Sequence, residues 1–261
     1  MRTGCLPVLR KEIPKQAAPG ASAGIHAVSE FYRFPHTPHL DWLGHGQPRD
    51  DKVLSPPEAA ELLHDEVVLE EKLDGANLGL SLGPDEELRV QNRGQYLAHP
   101  HAGQFARLPA WLELHGDAVA ETLLEHADKG LVLFGEWCAA RHSLAYTRLP
   151  DWFLLFDVLE TRTDRFWSSA RRDAMARRVG LATAPQVARG VYSLDRLKAL
   201  LDAQGSRFRD GPVEGIVIRR ESADWCVQRA KLVRPDFAQA ITEHWRNRRI
   251  EWNRLGAAAS T

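Results

Sequence analysis

No apolar run in this chain approaches the roughly 20 residues that a membrane-spanning helix needs. The basic residues near the N-terminus are followed by neither an apolar core nor a cleavage pattern, so a secretory signal is not expected and a cytoplasmic location is. Cysteine is scarce. Cys5, Cys138 and Cys226 show no paired spacing and no Cys-x-x-Cys, which argues against a disulfide framework or a zinc site and fits a reducing compartment. A surplus of charge is also lacking: 34 basic residues face 35 acidic ones. Bulk charge therefore does not mark a nucleic-acid binder, and any phosphate-binding surface must be local.

What is there is an alternation of short apolar strands and capped helices. Residues 1–29 are rich in Ala, Gly, Pro and Lys and read as a flexible leader. Residues 30–235 read as one domain and 236–261 as a short helical tail. Strands are expected at Val67–Leu73, Asn77–Leu82, Leu88–Asn92, Leu131–Trp137, Trp152–Leu159, Val213–Arg219 and Cys226–Val233. Helices are expected at Asp117–Ala127, Ser168–Val179 and Ser193–Gln204, the last two opened by serine caps and followed by Gly180 and Gly205. A basic helix is expected at Phe237–Trp252. Strands and helices without a βαβ rhythm predict an α+β fold with antiparallel sheets, not a doubly wound one.

The chemistry concentrates in an ordered series of short motifs. Glu71-Lys72-Leu73-Asp74-Gly75-Ala76-Asn77 ends an apolar strand and delivers an amine into a polar turn. Arg93 follows, then Phe134-Gly135-Glu136-Trp137 and Phe153-Leu154-Leu155-Phe156-Asp157. Glu214-Gly215-Ile216-Val217-Ile218-Arg219 and Arg229-Ala230-Lys231-Leu232 close the series. A lysine amine attacks phosphorus only when neutral, so Lys72 as a nucleophile needs a site that lowers its pKa. Guanidinium and ammonium groups such as Arg93 and Lys231 suit phosphate oxygens. His36 and His39, and His99 and His101, have spacings open to metal binding but sit in proline-rich loops, where a structural role is favoured. Arg171, Arg172, Arg177 and Arg178 read as a solvated basic face.

In this order the motifs resemble those of the covalent nucleotidyltransferases, and within that superfamily the RNA ligase 2-like branch. The resemblance implies a nucleotidyltransferase domain whose two antiparallel sheets hold ATP between them, with flanking helices and no C-terminal OB-fold. It implies Lys72 as the residue that takes AMP, with Glu214 and Asp74 holding Mg²⁺ (or Mn²⁺) through water. Glu136 would accept the ribose hydroxyls, Phe156 and Val217 would sandwich adenine, and Glu71 would contact its amino group. Lys231 would face the α-phosphate, Arg229 would be a further ATP-binding residue, Arg93 would touch AMP or the polynucleotide 5′-phosphate, and Asn77 would hold the attacking 3′ end. Arg229 stands where a lysine is usual, and Asp74 where the phage RNA ligase 2 type has histidine. The implied partners are RNA ends bearing a 5′-phosphate and a 3′-hydroxyl, with an end-healing kinase or phosphatase as a further partner. The rivals are a DNA nick-sealing ligase or other nucleotidyltransferase, and a non-catalytic RNA-binding scaffold descended from a ligase.

Overall fold

The computed structural model describes residues 31–46, 48, 52–240 and 249–257. The expected leader 1–29, and Trp245, Arg246 and Arg248 of the expected basic helix, lie outside the described residues. Strands β1 (Val67–Lys72), β8 (Gln186–Gly190), β9 (Gly215–Glu221) and β10 (Cys226–Val233) form one antiparallel sheet in the order β10-β9-β1-β8. Strands β2 (Ala76–Leu82), β3 (Leu88–Gln91), β4 (Leu131–Trp137), β5 (Phe153–Glu160) and β6 (Arg165–Phe166) form a second, ordered β3-β2-β4-β5-β6. The two-residue β7 (Ala182–Thr183) adds to β5 in parallel, the one exception to the antiparallel expectation among the described strands. Only Leu73-Asp74-Gly75 separates β1 from β2, so this turn carries the chain from one sheet to the other directly after Lys72.

Each sheet buries one face against helices. Helices α2 (Leu108–Glu125) and α3 (Ser169–Val179) cover the second sheet, where Trp111, Val119, Leu123 and Met175 pack on Leu78, Leu80, Leu133 and Leu155. Helices α1 (Pro56–Leu63) and α4 (Leu194–Ala203) cover the first, placing Leu62, Leu197 and Leu201 on Val67, Leu69, Ile216 and Ile218. The other faces of the two sheets look toward each other across a cavity. Helix starts follow their caps: the hydroxyl oxygens of Ser168 and Ser193 accept from the amides of Arg171 and Arg196. Gly180 ends α3 in the left-handed region at φ 80°.

Two helices differ from the sequence reading. α2 begins nine residues before Asp117, because burial of Leu108 and Trp111 outweighs the cost of Gly116, about 1 kcal/mol in a helix interior. α1 went unpredicted although Ser55 and Glu58 form a capping box around two prolines, a signal present in the sequence. After β10 the described residues contain α5 (Pro235–Ala240) and no strand. Residues 249–257 are irregular and not helical, in contrast to the expected helix reaching Trp252. Among the described residues no helix is long and apolar enough to cross a membrane.

The sheets are joined by buried charge. Arg219 on β9 bonds Asp157 of β5 at 2.7 Å and Glu221 at 2.6 Å, and donates to the Trp167 carbonyl at 3.0 Å. Arg172 on α3 bonds Glu70 of β1 at 2.6 Å. Both arginine side chains are 1 % exposed. Arg219→Met leaves Asp157 and Glu221 buried without this partner, so it is expected to cost about 3–5 kcal/mol. Urea unfolding at pH 7 measures this; a loss below about 1 kcal/mol would mean that other groups replace the guanidinium.

Candidate active site

Cross-strand neighbours in an antiparallel sheet share a face, and residues alternate faces along a strand. Glu70, Val217 and Lys231 are in register across β1, β9 and β10, and Lys72 lies two residues beyond Glu70. This row faces the second sheet, where Asn77 of β2 is in register with Glu136 of β4. Between them lies a cavity of about 640 Å³. Glu71, Lys72, Asn77, Arg93, Glu136, Phe156, Val217, Arg229 and Lys231 all line it. Of the sequence-predicted site residues, Asp74 and Glu214 do not; Glu214 meets the cavity through Lys72.

The amine of Lys72 is held by both oxygens of Glu214, at 2.7 and 2.8 Å. Burial pulls the Lys72 pKa down, but Glu214, Glu136 and Asp74 push it up further, so it stands above the ordinary lysine value. This reverses the lowered pKa that nucleophilic attack requires: with these carboxylates alone around it, Lys72 is charged. Glu214 is itself raised by burial, with Lys72 and Lys231 opposing. Burial, moderated by Lys72, brings Glu136 up to about 7. One Glu136 oxygen accepts from the Gly75 amide at 2.9 Å. A Cβ on Gly75 would come within 2.5 Å of the Trp137 carbonyl oxygen, so only glycine lets the turn approach β4 this closely.

Asp74 is anchored away from the cavity. Its Oδ2 accepts from the amides of Ser143 and Leu144 at 2.7 and 2.6 Å, and its own amide donates to the Tyr146 hydroxyl oxygen at 2.9 Å. Glu71 is on the opposite face of β1 from Lys72, in register with the core residue Ile216. Its oxygens accept from the Ser206 hydroxyl at 2.6 Å and the Arg207 amide at 2.9 Å, so the contact to an adenine amino group expected of it would displace one of these bonds. Arg229 bonds Asp157 at 2.9 Å and lies over the rings of Phe34 and Phe166 at 4.7 and 4.0 Å. Its guanidinium thus has an acid and two rings as partners while it also lines the cavity.

Phe156 reaches the cavity because β5 carries a bulge. Asp157 pairs with Phe134 and Leu155 with Gly135, leaving Phe156 as the extra residue. Its carbonyl oxygen accepts from Arg172 at 2.7 Å and Arg219 at 3.3 Å. Phe153, three residues earlier, packs instead on Trp111 in the core. Phe34 meets Phe156 edge-on at 5.2 Å and also lines the cavity. Phe34 belongs to the segment 31–41, which precedes α1. This segment lies along β10, with the Lys231 amide donating to Pro38 and the Leu40 amide to Lys231. Asp157, Arg219, Gln104 and His142 are further lining residues that the sequence reading did not single out. For the first two, a charge inside an apolar strand was the available signal.

The cavity suits a polar, anionic ligand with a flat apolar part. Both amide atoms of Asn77 and the Nε of Arg93 are buried with no hydrogen-bond partner. Such groups call for a partner that arrives with the ligand. Phe156, Phe34 and Val217 supply the apolar surface. Among the described residues no group of three or more His, Cys, Asp or Glu is placed to hold a metal.

Glu136 gives the site a measurable pH signature. In the folded chain it keeps its proton up to about pH 7, whereas its ordinary value is 4.5. The folded state binds more protons between these values, so this contribution to stability is present below pH 4.5 and lost as pH rises through 7. Glu136→Gln removes the loss and is expected to be more stable than the parent at pH 8 by up to about 3 kcal/mol. The gap should close toward pH 4.5. Thermal melts across this range check it; parallel curves for the two proteins would contradict it.

A family model described as RNA ligase matches residues 65–233. A comparison with curated proteins finds no match. Among solved structures, a mutant of the Naegleria gruberi RNA ligase with ATP and Mn aligns at TM-score 0.60 and 14 % identity, covering 82 % of this chain and 61 % of that one. The same ligase with PPi aligns at TM-score 0.55 and 16 % identity, covering 83 % and 61 %. An apo mutant aligns at 0.57 and 14 %, covering 85 % and 63 %. These likenesses concern the fold, and the chain spans about three fifths of the length of those ligases. The family match covers more than half of the chain and includes every strand that borders the cavity, and the chain belongs to the RNA ligase family.

Proposed function

We propose that this protein is an ATP-dependent RNA ligase that works through AMP carried on Lys72. The observation that carries the proposal is the position of Lys72: its amine stands at the seam of two sheets, in a cavity whose Asn77 and Arg93 keep buried polar atoms without partners. A lysine amine held at the edge of such a cavity, beside polar atoms that lack partners, supports a catalytic reading over a non-catalytic scaffold. In the first step Nζ gives its proton to Glu214 Oε1, 2.7 Å away, and attacks the α-phosphorus of ATP. The N–P bond forms, the bond to the β-phosphate oxygen breaks and pyrophosphate leaves. In the second step the 5′-phosphate of an RNA end attacks the same phosphorus, and Lys72 departs as the amine. In the third, the 3′-hydroxyl of the other end attacks the RNA phosphate and AMP leaves.

The positions of the lining residues support a role for each in this reading. Phe156 and Val217, from opposite sheets, give adenine two apolar faces. Glu136 faces the same cavity as an acceptor for ribose hydroxyls. Lys231, two strands from β1 in the row of Val217, supplies a point charge for phosphate. Arg93 and Asn77 would satisfy their buried polar atoms on the nucleotide or the RNA ends. Asp74, through the oxygen that Ser143 and Leu144 leave free, and Glu214, through the oxygen that does not take the proton, would hold Mg²⁺ or Mn²⁺ by way of water and in company with phosphate oxygens, and the ion would offset the negative charge of carboxylates and triphosphate. Carboxylate oxygens fit such a hard ion by type. The RNA ends are supplied by chemistry that leaves a 5′-phosphate and a 3′-hydroxyl, as an end-healing kinase or phosphatase does.

Incubation with α-labelled ATP and Mg²⁺ followed by denaturing electrophoresis tests the first step. Label is expected on the parent protein and absent from Lys72→Ala, and Glu214→Ala is expected to slow labelling by about 100-fold. A folded parent protein that takes no label would sink the proposal. Labelled protein that then seals no RNA ends would confine it to nucleotidyl transfer.

A further inference from the structure

Residues 249–256 pack on the loop that follows β4. The Glu251 carbonyl accepts from the Arg141 amide at 2.8 Å, and the Asn253 amide donates to Ala139 at 2.9 Å. The Arg254 amide donates to Tyr146 at 3.0 Å, the Leu149 amide to Arg254 at 3.1 Å and the Gly256 amide to Leu149 at 2.8 Å. The segment thus runs along the loop 138–149 like a missing strand. Asn253 is 4 % exposed and sits at the centre of this seam. Its side chain accepts from the Tyr146 amide at 2.8 Å and donates to the carbonyls of Cys138 at 2.8 Å and Ala140 at 3.3 Å. Only an amide side chain accepts and donates in this way at once; aspartate would set a carboxylate against two carbonyl oxygens.

The loop that Asn253 ties down is the one that holds Asp74. Ser143 and Leu144 supply the two amides on its carboxylate, and Tyr146 supplies the hydroxyl that receives its amide proton. Asp74 stands two residues after Lys72, and the next residue, Gly75, binds Glu136. A continuous set of hydrogen bonds therefore runs from Asn253 through the loop to the turn that sets the direction of the Lys72 side chain. We propose that the segment 249–256 is a positioning element for AMP transfer to Lys72, with Asn253 as its fixing residue. This rests on Lys72 being the AMP acceptor. Asn253 touches neither that amine nor the cavity, so its action is on geometry: a displacement of about 1 Å at a reacting group costs about 100-fold in rate.

The test uses the full chain. Self-labelling by α-labelled ATP is followed against ATP concentration for the parent, Asn253→Ala, Tyr146→Phe and Glu251→Ala. AMP binding is measured by calorimetry on the same proteins. Asn253→Ala is expected to slow the maximal labelling rate by about 100-fold while AMP affinity stays within about three-fold, because the adenine walls belong to β5 and β9. Hydrogen exchange should quicken at residues 141–146 in that variant and stay unchanged in β1 and β9. Tyr146→Phe keeps the seam and removes only the acceptor of the Asp74 amide, so it should slow labelling by about ten-fold with unchanged AMP binding, and it carries the test if Asn253→Ala does not fold. Glu251→Ala loses only an exposed ion pair with Arg141 and should label like the parent. Parent-like labelling by a folded Asn253→Ala, or by Tyr146→Phe, overturns the positioning role and leaves the ligase reading intact. Equal losses in AMP binding and rate overturn it too, since that pattern marks a collapsed site. Absence of label on the parent protein sinks the ligase reading itself.

Discussion

The carbonyl oxygen of Phe156 is the point on which the site depends. A bulge in β5 removes this residue from the ladder with β4, and two buried arginines, Arg172 and Arg219, donate to its oxygen. Arg172 comes from a helix behind the second sheet and Arg219 from a strand of the first. The two guanidiniums also bind Glu70 and Asp157, so the cavity wall, β1 and β5 are fixed by the same charges. Buried ions of this kind are poor sources of net stability, since desolvation offsets most of the attraction. What they impose is geometry. A guanidinium with fixed fork directions and no access to water admits one arrangement of its partners, and that arrangement turns the Phe156 ring into the cavity.

Close charges set the chemistry at Lys72. Its side chain is 24 % exposed and that of Glu214 14 %, so solvent screens the amine and the carboxylates around it only in part. Glu214, Glu136 and Asp74 together hold Lys72 charged, and burial raises both glutamates. The site without nucleotide is a stable ion pair. On the proposed ligase reading, the amine would become nucleophilic only when nucleotide and a cation change that balance of charge.

Two segments outside the central strands complete this arrangement. The stretch 31–41 lies along β10 and contributes Phe34 to the cavity wall and to the stack on Arg229. The stretch 249–256 closes the loop that anchors Asp74. Arg229 shows the consequence. With Phe34 and Phe166 on its face and Asp157 on its edge, it serves the wall of the cavity. An arginine at this position fits that duty better than a lysine, because its flat cation stacks and pairs at once.

Much of this was legible in the residues. Serine caps, Gly180, apolar strand runs and the short Leu73–Gly75 link mark local events whose signals lie within a few positions. The order of Lys72, Arg93, Glu136, Phe156, Glu214 and Lys231 pointed to one chemistry before any of them was placed. The resemblance pointed to Phe156, and the bulge puts that ring in the cavity while Phe153 packs in the core. The remainder had no local trace. Glu71 meets Ser206 across 135 positions, Tyr146 meets Asn253 across 107, and Lys72 meets Glu214 across 142. Residue types and periodicity determined which groups are available and which strands carry them. Which carboxylate binds the lysine, which arginine is taken up by the wall and which distant asparagine ties down the loop that anchors Asp74 were decided only when the sheets closed, because the strength and direction of a buried charge or hydrogen bond depend on partners that sequence neighbours do not supply.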